Sequence, residues 1–250
     1  MINPTKNVAL YTVITGNYDK PRTNPRTLNI PCILITDSEK MGLEATKNGW
    51  QVHNLPNIPD QAFEMAAFNN TTKNQWTQRY LKIHPHVIPA LHNFEFVIWA
   101  DGNLEVSSKD VENCISNKGV DVLRKKHPNP RRKNKVSNEL AEIGRNQKKK
   151  FYGSFCSSFK EMQNEMKLAG FADQQLTETN FLGRRKPCGE EMIRFAEDWW
   201  RILQMNNCWR DQAGFDYALW RSKLAFDTVT WSGKRHWHRH QHRKGLMPDK

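Results

Sequence analysis

The chain has 250 residues, a formal net charge of +12 and 38% hydrophobic residues, with nine tryptophans and twelve phenylalanines. This composition excludes a disordered chain and indicates a globular protein with an anionic partner, so that nucleic acid, an acidic membrane surface and a nucleotide-bearing substrate are the candidates. The five scattered cysteines contain no CxxC pair, which argues against a disulfide framework or a zinc knuckle.

The sequence shows no membrane-spanning or secretory pattern. No apolar run approaches the roughly 20 residues needed to cross a bilayer. The N-terminal run MINPTKNVALYTVITGNYD differs from a signal peptide because its apolar stretch is short and is followed by a turn. We therefore expect a cytoplasmic protein that contacts, at most, the periphery of an acidic membrane surface.

Short β-rich runs bounded by turn residues predict strands at 8–14, 31–35, 50–55, 96–100 and 120–123. Apolar residues at helical spacing predict helices at 72–83, 158–170 and 190–205. The first of these helices begins with a capping box of Thr72 and Gln75, and it must end by His84 because Pro85 follows. Strands mixed with helices predict an α/β fold with a central sheet.

Two basic segments fall outside these elements. Residues 124–150, with RKKHPNPRRKNK and KKK, are the best candidate for a long surface loop. Residues 236–250 form a basic, histidine-rich tail in which His236, His238, His240 and His242 are spaced by two. An extended tail would direct all four imidazoles to one side.

Polar residues follow three of the predicted strands, and in open α/β sheets ligands gather at the carboxyl ends of the strands. These residues are Thr15, Gly16, Tyr18 and Asp19 after the first strand, Asp37 after the second, and Asp101, Gly102 and Asn103 after the fourth. Gly102 lets the backbone turn, so that Asp101 and Asn103 can direct oxygen ligands at one Mg²⁺ or Mn²⁺ ion. An ordinary strand-to-turn exit favours the same residue types.

The motifs TGNYD, WADGN and RDQ, with LITD and RYLKIHPH between them, resemble the GT-A glycosyltransferases. In particular, the chain is similar to a plant and microbial family, once catalogued only as a domain of unknown function, that includes mucilage- and pectin-related enzymes. The resemblance covers residues 8–225. One departure is Asp-Gly-Asn, where GT-A enzymes more often carry Asp-x-Asp, and an amide oxygen is a weaker metal ligand than a carboxylate.

The resemblance implies a single GT-A-like, Rossmann-like domain over residues 1–235, with a mixed central sheet flanked by helices. It implies a metal-assisted hexosyl- or pentosyltransferase that moves a sugar from a UDP- or GDP-linked donor to a hydroxyl of a glycan, polysaccharide or glycoconjugate. The alternative function is a basic nucleic-acid-binding protein or metal-dependent nuclease. Nucleic acid is the less favoured partner because no RNP, zinc-finger or KH signature appears. A non-catalytic, lectin-like protein is a third possibility.

On the donor side, the resemblance assigns the nucleotide to Thr15, Gly16, Tyr18 and Asp19, with Asp37 near its base or ribose. It assigns Asp101 and Asn103 to Mn²⁺ or Mg²⁺ on the donor diphosphate, with a late histidine, of which His238 is the most central, as third ligand. A frayed polybasic tail is the equal alternative for that histidine. Arg79 and Lys82, three residues apart on a helix, would meet the same diphosphate or would be two solvated cations.

On the acceptor side, the resemblance assigns Asp211 and Gln212 to a helix start that faces the cleft. Asp211 would be the general base of an inverting enzyme, or else a plain helix N-cap. Glu178 would touch the acceptor or the donor sugar, or else would be a surface carboxylate paired with arginine.

Overall fold

The computed structural model describes residues 7–17, 19–64, 72–117, 119–127, 135–146, 159–172, 176–206, 208 and 210–235. The strands are β1 Val8–Ile14, β2 Cys32–Thr36, β3 Gln51–His53, β4 Phe96–Ala100, β5 Leu104–Glu105, β6 Val122–Lys126, β7 Thr177–Arg185, β8 Phe226–Val229 and β9 Lys234–Arg235. The helices are α1 Glu39–Lys47, α2 Lys73–Ile83, α3 Ser108–Ser116, α4 Val136–Asn146, α5 Phe159–Leu168, α6 Glu190–Met205 and α7 Asp211–Ser222.

The described strands form a seven-stranded sheet in the order β3-β2-β1-β4-β7-β6-β8, and β5 and β9 form a separate antiparallel pair. Strand β7 runs antiparallel to both β4 and β6, whereas the other neighbours in the large sheet are parallel. The carboxyl ends of β1, β2 and β4 therefore meet at one edge. This mixed sheet flanked by helices confirms the predicted fold class.

Both faces of the sheet are buried along the inner strands β1, β2 and β4, as parallel strands require. Side chains alternate along β1, so that Tyr11 and Val13 belong to one core cluster and Leu10 to the other. The first cluster also contains tryptophans of α2 and α6, and the second contains residues of α1 and α3. Helices therefore pack on both faces of the central strands.

The last turn of α2 is fixed to the sheet by Arg184 of β7, a side chain that is only 1% exposed. Its guanidinium donates to the carbonyl oxygen of Lys82 at 2.6 Å and to that of Ile83 at 3.1 Å. It also donates to the Tyr11 hydroxyl at 2.6 Å, and this hydroxyl donates to the Lys82 carbonyl at 3.1 Å. These bonds satisfy carbonyls at the negative end of the helix and set the position of Lys82.

The segment 124–150 departs from the predicted surface loop. Strand β6 continues through Lys126, and α4 occupies Val136–Asn146. The reason is that two of its cations are internal: Arg124 pairs with Asp216 at 2.7 Å, and Lys125 pairs with Glu178 at 2.6 Å. Residues 128–134, 147–150 and the tail 236–250 lie outside the described residues.

Within the described ranges, every helix is too short or too polar to cross a bilayer.

Glycine is required at position 183, in the middle of β7. A Cβ atom there would lie 2.6 Å from Cζ of Phe96 and 3.0 Å from Cβ of Leu123. We expect Gly183→Ala to lower the free energy of unfolding, measured in urea, by about 1–3 kcal/mol through overpacking. Gly119→Ala is the control, because a Cβ there meets no atom within 4 Å. Its expected change is within about 0.5 kcal/mol, and equal losses in both variants would contradict this packing.

Candidate active site

The ammonium group of Lys82 is buried between two carboxylates. Its Nζ atom lies 2.6 Å from Oδ2 of Asp211 and 3.7 Å from Oδ1 of Asp101. The side chain of Lys82 is only 5% exposed, and its Nζ atom lies 5.5 Å from the ring centre of Trp99. Lys82 is therefore not a solvated cation on the helix surface, and that alternative is wrong.

Asp211 is the first residue of α7, and the N-cap position belongs to Arg210, so the N-cap alternative for Asp211 is wrong. Its carboxylate accepts a hydrogen bond from the Thr179 hydroxyl at 3.0 Å, and Nε of Arg79 lies 4.0 Å away. Its backbone carbonyl accepts from the Trp199 indole at 2.9 Å. Contacts from α2, β7 and α6 thus hold one carboxylate at the start of α7.

The protonation state of Asp211 is set by its neighbours. Burial raises the pKa of the carboxyl group, but the charges of Lys82 and Arg79 outweigh burial and hold the pKa well below its usual range. Asp211 is consequently ionised at neutral pH and only weakly basic.

Asp101 and Asn103 flank a tight turn after β4. The Trp99 indole donates to Oδ1 of Asp101 at 2.9 Å. Gly102 lies between these two residues. A Cβ atom on Gly102 would lie 2.7 Å from Cδ1 of Ile14, so the close approach of the turn to Ile14 requires glycine. Asn103 is 7% exposed, and its Oδ1 atom is buried without a hydrogen-bond partner among the described residues. The turn therefore presents one carboxylate and one unpaired amide oxygen.

The loop after β1 packs against the start of α2 and the end of β2. Gly16 has a φ of +60°, and its N–H donates to both carboxylate oxygens of Asp37, at 2.9 and 3.1 Å. The Thr15 hydroxyl donates to the carbonyl oxygen of Asn74 at 2.8 Å. The Cβ atom of Asp19 lies 3.8 Å from the position that a Cβ on Gly102 would take. These loop residues thus lie at the same edge as Asp101, and Tyr18 lies outside the described residues.

Glu178 is buried, so its interpretation as a surface carboxylate is wrong, but the expected pairing with an arginine is present. It lies 2.6 Å from Nζ of Lys125 and 2.7 Å from Nη1 of Arg235. In the small sheet, Arg235 is the partner of Leu104, the residue after Asn103. The end of the described chain therefore lies beside the 101–103 turn. His238 lies outside the described residues, within which no three His, Cys, Asp or Glu side chains cluster as metal ligands.

Thr179 and Asn180 lie at this edge in an irregular part of β7. Arg124 is paired with Leu182 and Lys126 with Thr177, so β7 carries extra residues between these points and forms a bulge. Within the bulge, Thr179 contacts Asp211, and the carbonyl oxygen of Asn180 accepts from the Asp101 N–H at 2.9 Å.

Thr179 and Asn180 were not predicted as site residues, because TETNFLGRR shows no clear hydrophobic alternation. Gln212, which was predicted, is half-buried next to Asp211. Its Nε2 atom is buried without a hydrogen-bond partner in the part of the chain that the structure describes.

Comparisons with known proteins give a match in fold but none in sequence. No family model and no curated protein matches the chain. The mannosyltransferase Ktr4p from S. cerevisiae matches with a TM-score of 0.51 and 9% identity, over 90% of this chain and 69% of that one. Core-mannan synthase A from Aspergillus fumigatus, in its Mn/GDP form, matches with a TM-score of 0.48 and 14% identity, over 86% and 69%.

A third structure, mouse xyloside xylosyltransferase 1 in its apo form, has a TM-score of 0.48 and 8% identity, over 90% of this chain and 84% of that one. At such identities the likeness concerns the fold alone. Together with the strand order, the match to Ktr4p shows that the chain has the GT-A-like fold.

The pairing of Asp211 predicts how stability depends on pH. Asp211→Asn is expected to lower the free energy of unfolding by about 3–5 kcal/mol at neutral pH, because it breaks a buried ion pair. In wild type, the contribution of the Asp211 carboxylate to the free energy of unfolding is fully present above its unfolded-state pKa of about 3.9. It is lost as the pH falls through the lower pKa of the folded state. The difference between the two proteins should therefore narrow below about pH 4 in urea unfolding measurements.

The control for this experiment is Asp198→Asn, which breaks partly exposed pairs with Arg201 and Arg221. Its expected cost is about 0–1 kcal/mol. A stability difference between wild type and Asp211→Asn that stayed constant from pH 7 to pH 3 would contradict the depressed pKa.

Proposed function

We propose that the chain is a glycosyltransferase that moves a sugar from a nucleotide-diphosphate donor to a hydroxyl of a glycan, polysaccharide or glycoconjugate acceptor. The observation that carries the proposal is the burial of Lys82 between Asp101 and Asp211, at the carboxyl edge of a GT-A-like sheet. The motifs TGNYD, WADGN and RDQ support assignment to the mucilage- and pectin-related family.

The donor diphosphate is proposed to meet the cations of Lys82 and Arg79, since charge-assisted hydrogen bonds to phosphate are strong. Thr15, Gly16, Tyr18 and Asp19 would hold the nucleotide, with Asp37 near its base or ribose. The bond from the Gly16 N–H to Asp37 supports this, because it joins the loop after β1 to the end of β2 at the carboxyl edge of the sheet. Transfer then requires mainly the positioning of donor and acceptor.

Asp101 and Asn103 fit a divalent cation. Mn²⁺ and Mg²⁺ take carboxylate and amide oxygens, and the buried Oδ1 of Asn103 lacks any other partner among the described residues. When bound, such a cation would neutralise charge on the diphosphate leaving group. Lys82, 3.7 Å from Asp101, opposes metal binding to the free protein. We therefore propose that the metal binds together with the nucleotide.

Asp211 is proposed to act as a fixed negative charge, with Gln212 beside it. An efficient general base has a pKa near the working pH, whereas that of Asp211 is strongly depressed. The base role inferred from the resemblance requires Lys82 to move away from Asp211. The negative charge of Asp211 can stabilise positive charge on the reacting sugar without any movement of Lys82. We therefore favour this role for Asp211 over that of a general base.

His238 is proposed as a third metal ligand, because Arg235, three residues earlier, pairs with Leu104 beside the 101–103 turn. Glu178 would then support the site by holding Arg235, and not by touching a sugar. His238→Ala should weaken Mn²⁺ binding to the protein–nucleotide complex about tenfold in calorimetry, or about 1.4 kcal/mol. His242→Ala, in the same tail, is the control and should leave the affinity unchanged. Equal effects of both variants would indicate non-specific binding by a polybasic tail.

Calorimetry with UDP, GDP, CMP and dTDP, with and without Mn²⁺, tests the proposed function. We expect binding of one nucleotide that strengthens when Mn²⁺ is present, and loss of that Mn²⁺ effect in Asp101→Ala. Asp121→Ala is the matched control, because Asp121 pairs with Arg185 at 2.6 Å, at the start of β6. It should bind like wild type.

The contradicting outcome is equally specific. If no nucleotide binds with Mn²⁺ present, while oligonucleotides bind without metal and release in salt, the chain is a nucleic-acid-binding protein.

A further inference from the structure

The bulge of β7 buries the amide side chain of Asn180. Asn180 is 4% exposed, and neither its Nδ2 nor its Oδ1 atom has a hydrogen-bond partner among the described residues. Buried amides are nearly always hydrogen-bonded in native proteins, because removal from water without a partner is unfavourable. An amide with both ends unpaired therefore requires an explanation, and a bound ligand is one.

The position of Asn180 identifies the site it belongs to. Ala100 is paired with Phe181, and the Asp101 N–H donates to the Asn180 carbonyl at 2.9 Å, which places Asn180 opposite Asp101. Residues opposite each other in antiparallel strands direct their side chains to the same face, with Cβ atoms about 4.5–5.5 Å apart.

The neighbouring residues support the assignment of Asn180 and Asp101 to one face of the sheet. Trp99, two residues before Asp101, and Leu182, two residues after Asn180, belong to the same core cluster. The residue before Asn180 is Thr179, whose hydroxyl contacts Asp211. The side chain of Asn180 is therefore on the same face of the sheet as the Asp101 carboxylate, and its chain neighbour Thr179 contacts Asp211.

We propose that Asn180 binds hydroxyl groups of the sugar that the donor carries, an inference that rests on the proposed function. A carboxamide offers N–H donors and a carbonyl acceptor, and a pair of sugar hydroxyls offers the complementary acceptor and donor. The group is uncharged, so it adds no attraction for the diphosphate, which Lys82 and Arg79 would bind. Asn180 thus recognises the sugar, and the cations recognise the phosphates.

Asn206 provides a matched comparison. It is also 4% exposed, but its Nδ2 donates to the Ile202 carbonyl at 2.8 Å at the end of α6. Leucine at position 206 would leave that carbonyl without this donor, whereas leucine at position 180 would replace an amide that has no partner among the described residues. The two substitutions therefore have opposite expected effects on stability.

The test compares Asn180→Leu and Asn206→Leu with wild type. We expect Asn180→Leu to unfold at the same or a higher urea concentration than wild type, and Asn206→Leu at a lower one. For hydrolysis of the nucleotide sugar that wild type accepts, kcat/KM of Asn180→Leu should fall at least about tenfold, while affinity for the nucleoside diphosphate stays within about twofold. Asn206→Leu should keep kcat/KM when it is assayed well below its unfolding temperature.

Deoxy analogues of the donor give a readout that a structural role would not change. Removal of the contacted hydroxyl should lower kcat/KM in wild type but have little further effect in Asn180→Leu, because the two groups interact only with each other. An equal penalty in both proteins overturns the proposal, as does full activity or a clear loss of stability in Asn180→Leu. If wild type binds nucleoside diphosphate but the activity, stability or deoxy-analogue results for Asn180→Leu differ from those expected, the sugar assignment is wrong and the proposed function stands. If wild type binds no nucleotide, both are wrong.

Discussion

The salt bridge between Lys82 and Asp211 is the interaction on which the arrangement of the site depends. A buried ion pair adds little stability over a well-packed apolar pair, because both charges must leave water. The geometry of such a pair must then be held by neighbouring residues. Here Arg184 and Tyr11 donate hydrogen bonds to the backbone carbonyl of Lys82. Trp199 donates to the backbone carbonyl of Asp211, and Thr179 donates to its carboxylate. Such a network is better explained by binding or catalysis than by stability.

The charges of these four side chains balance one another. Lys82 and Arg79 supply two positive charges, and Asp101 and Asp211 supply two negative ones. A diphosphate that bound to the two cations would compete with the carboxylates for them, in a site where water screens poorly. In the proposed function, the same cations would thereby link the donor phosphates to Asp101 and Asp211. This coupling follows from the position of Lys82 between Asp101 and Asp211.

The sequence predicted elements with regular apolar patterns and failed where polar residues are internal. Strands β1 and β4 and helix α6 have the predicted bounds, because each is a continuous apolar run or a regular helical stripe. Strand β7 was not predicted, because it combines a bulge, a central glycine and buried polar residues. Arg124 and Lys125 were assigned to a surface loop, because no sequence pattern reveals their partners Asp216 and Glu178.

The candidate site shows the same limit. The polar ends of β1, β2 and β4 were predicted, because the carboxyl edge of a parallel sheet follows from strand order. The contact between Lys82 and Asp211 joins residues far apart in the sequence, so spacing could not predict it. Neither could the sequence predict Asn180, because its buried amide is recognised only by the lack of a hydrogen-bond partner among the residues that the structure describes.

Turnover by wild type and Lys82→Met tests the central claim most directly. The measurement is release of nucleoside diphosphate from a panel of UDP- and GDP-sugars, at equal protein concentration and with Mn²⁺ present. The account predicts release from at least one donor by wild type, and a loss of about 100-fold or more in kcat/KM for Lys82→Met, because a preorganised charge near the leaving group is removed. Full turnover by a folded Lys82→Met protein, or no release by wild type from any donor, would contradict it.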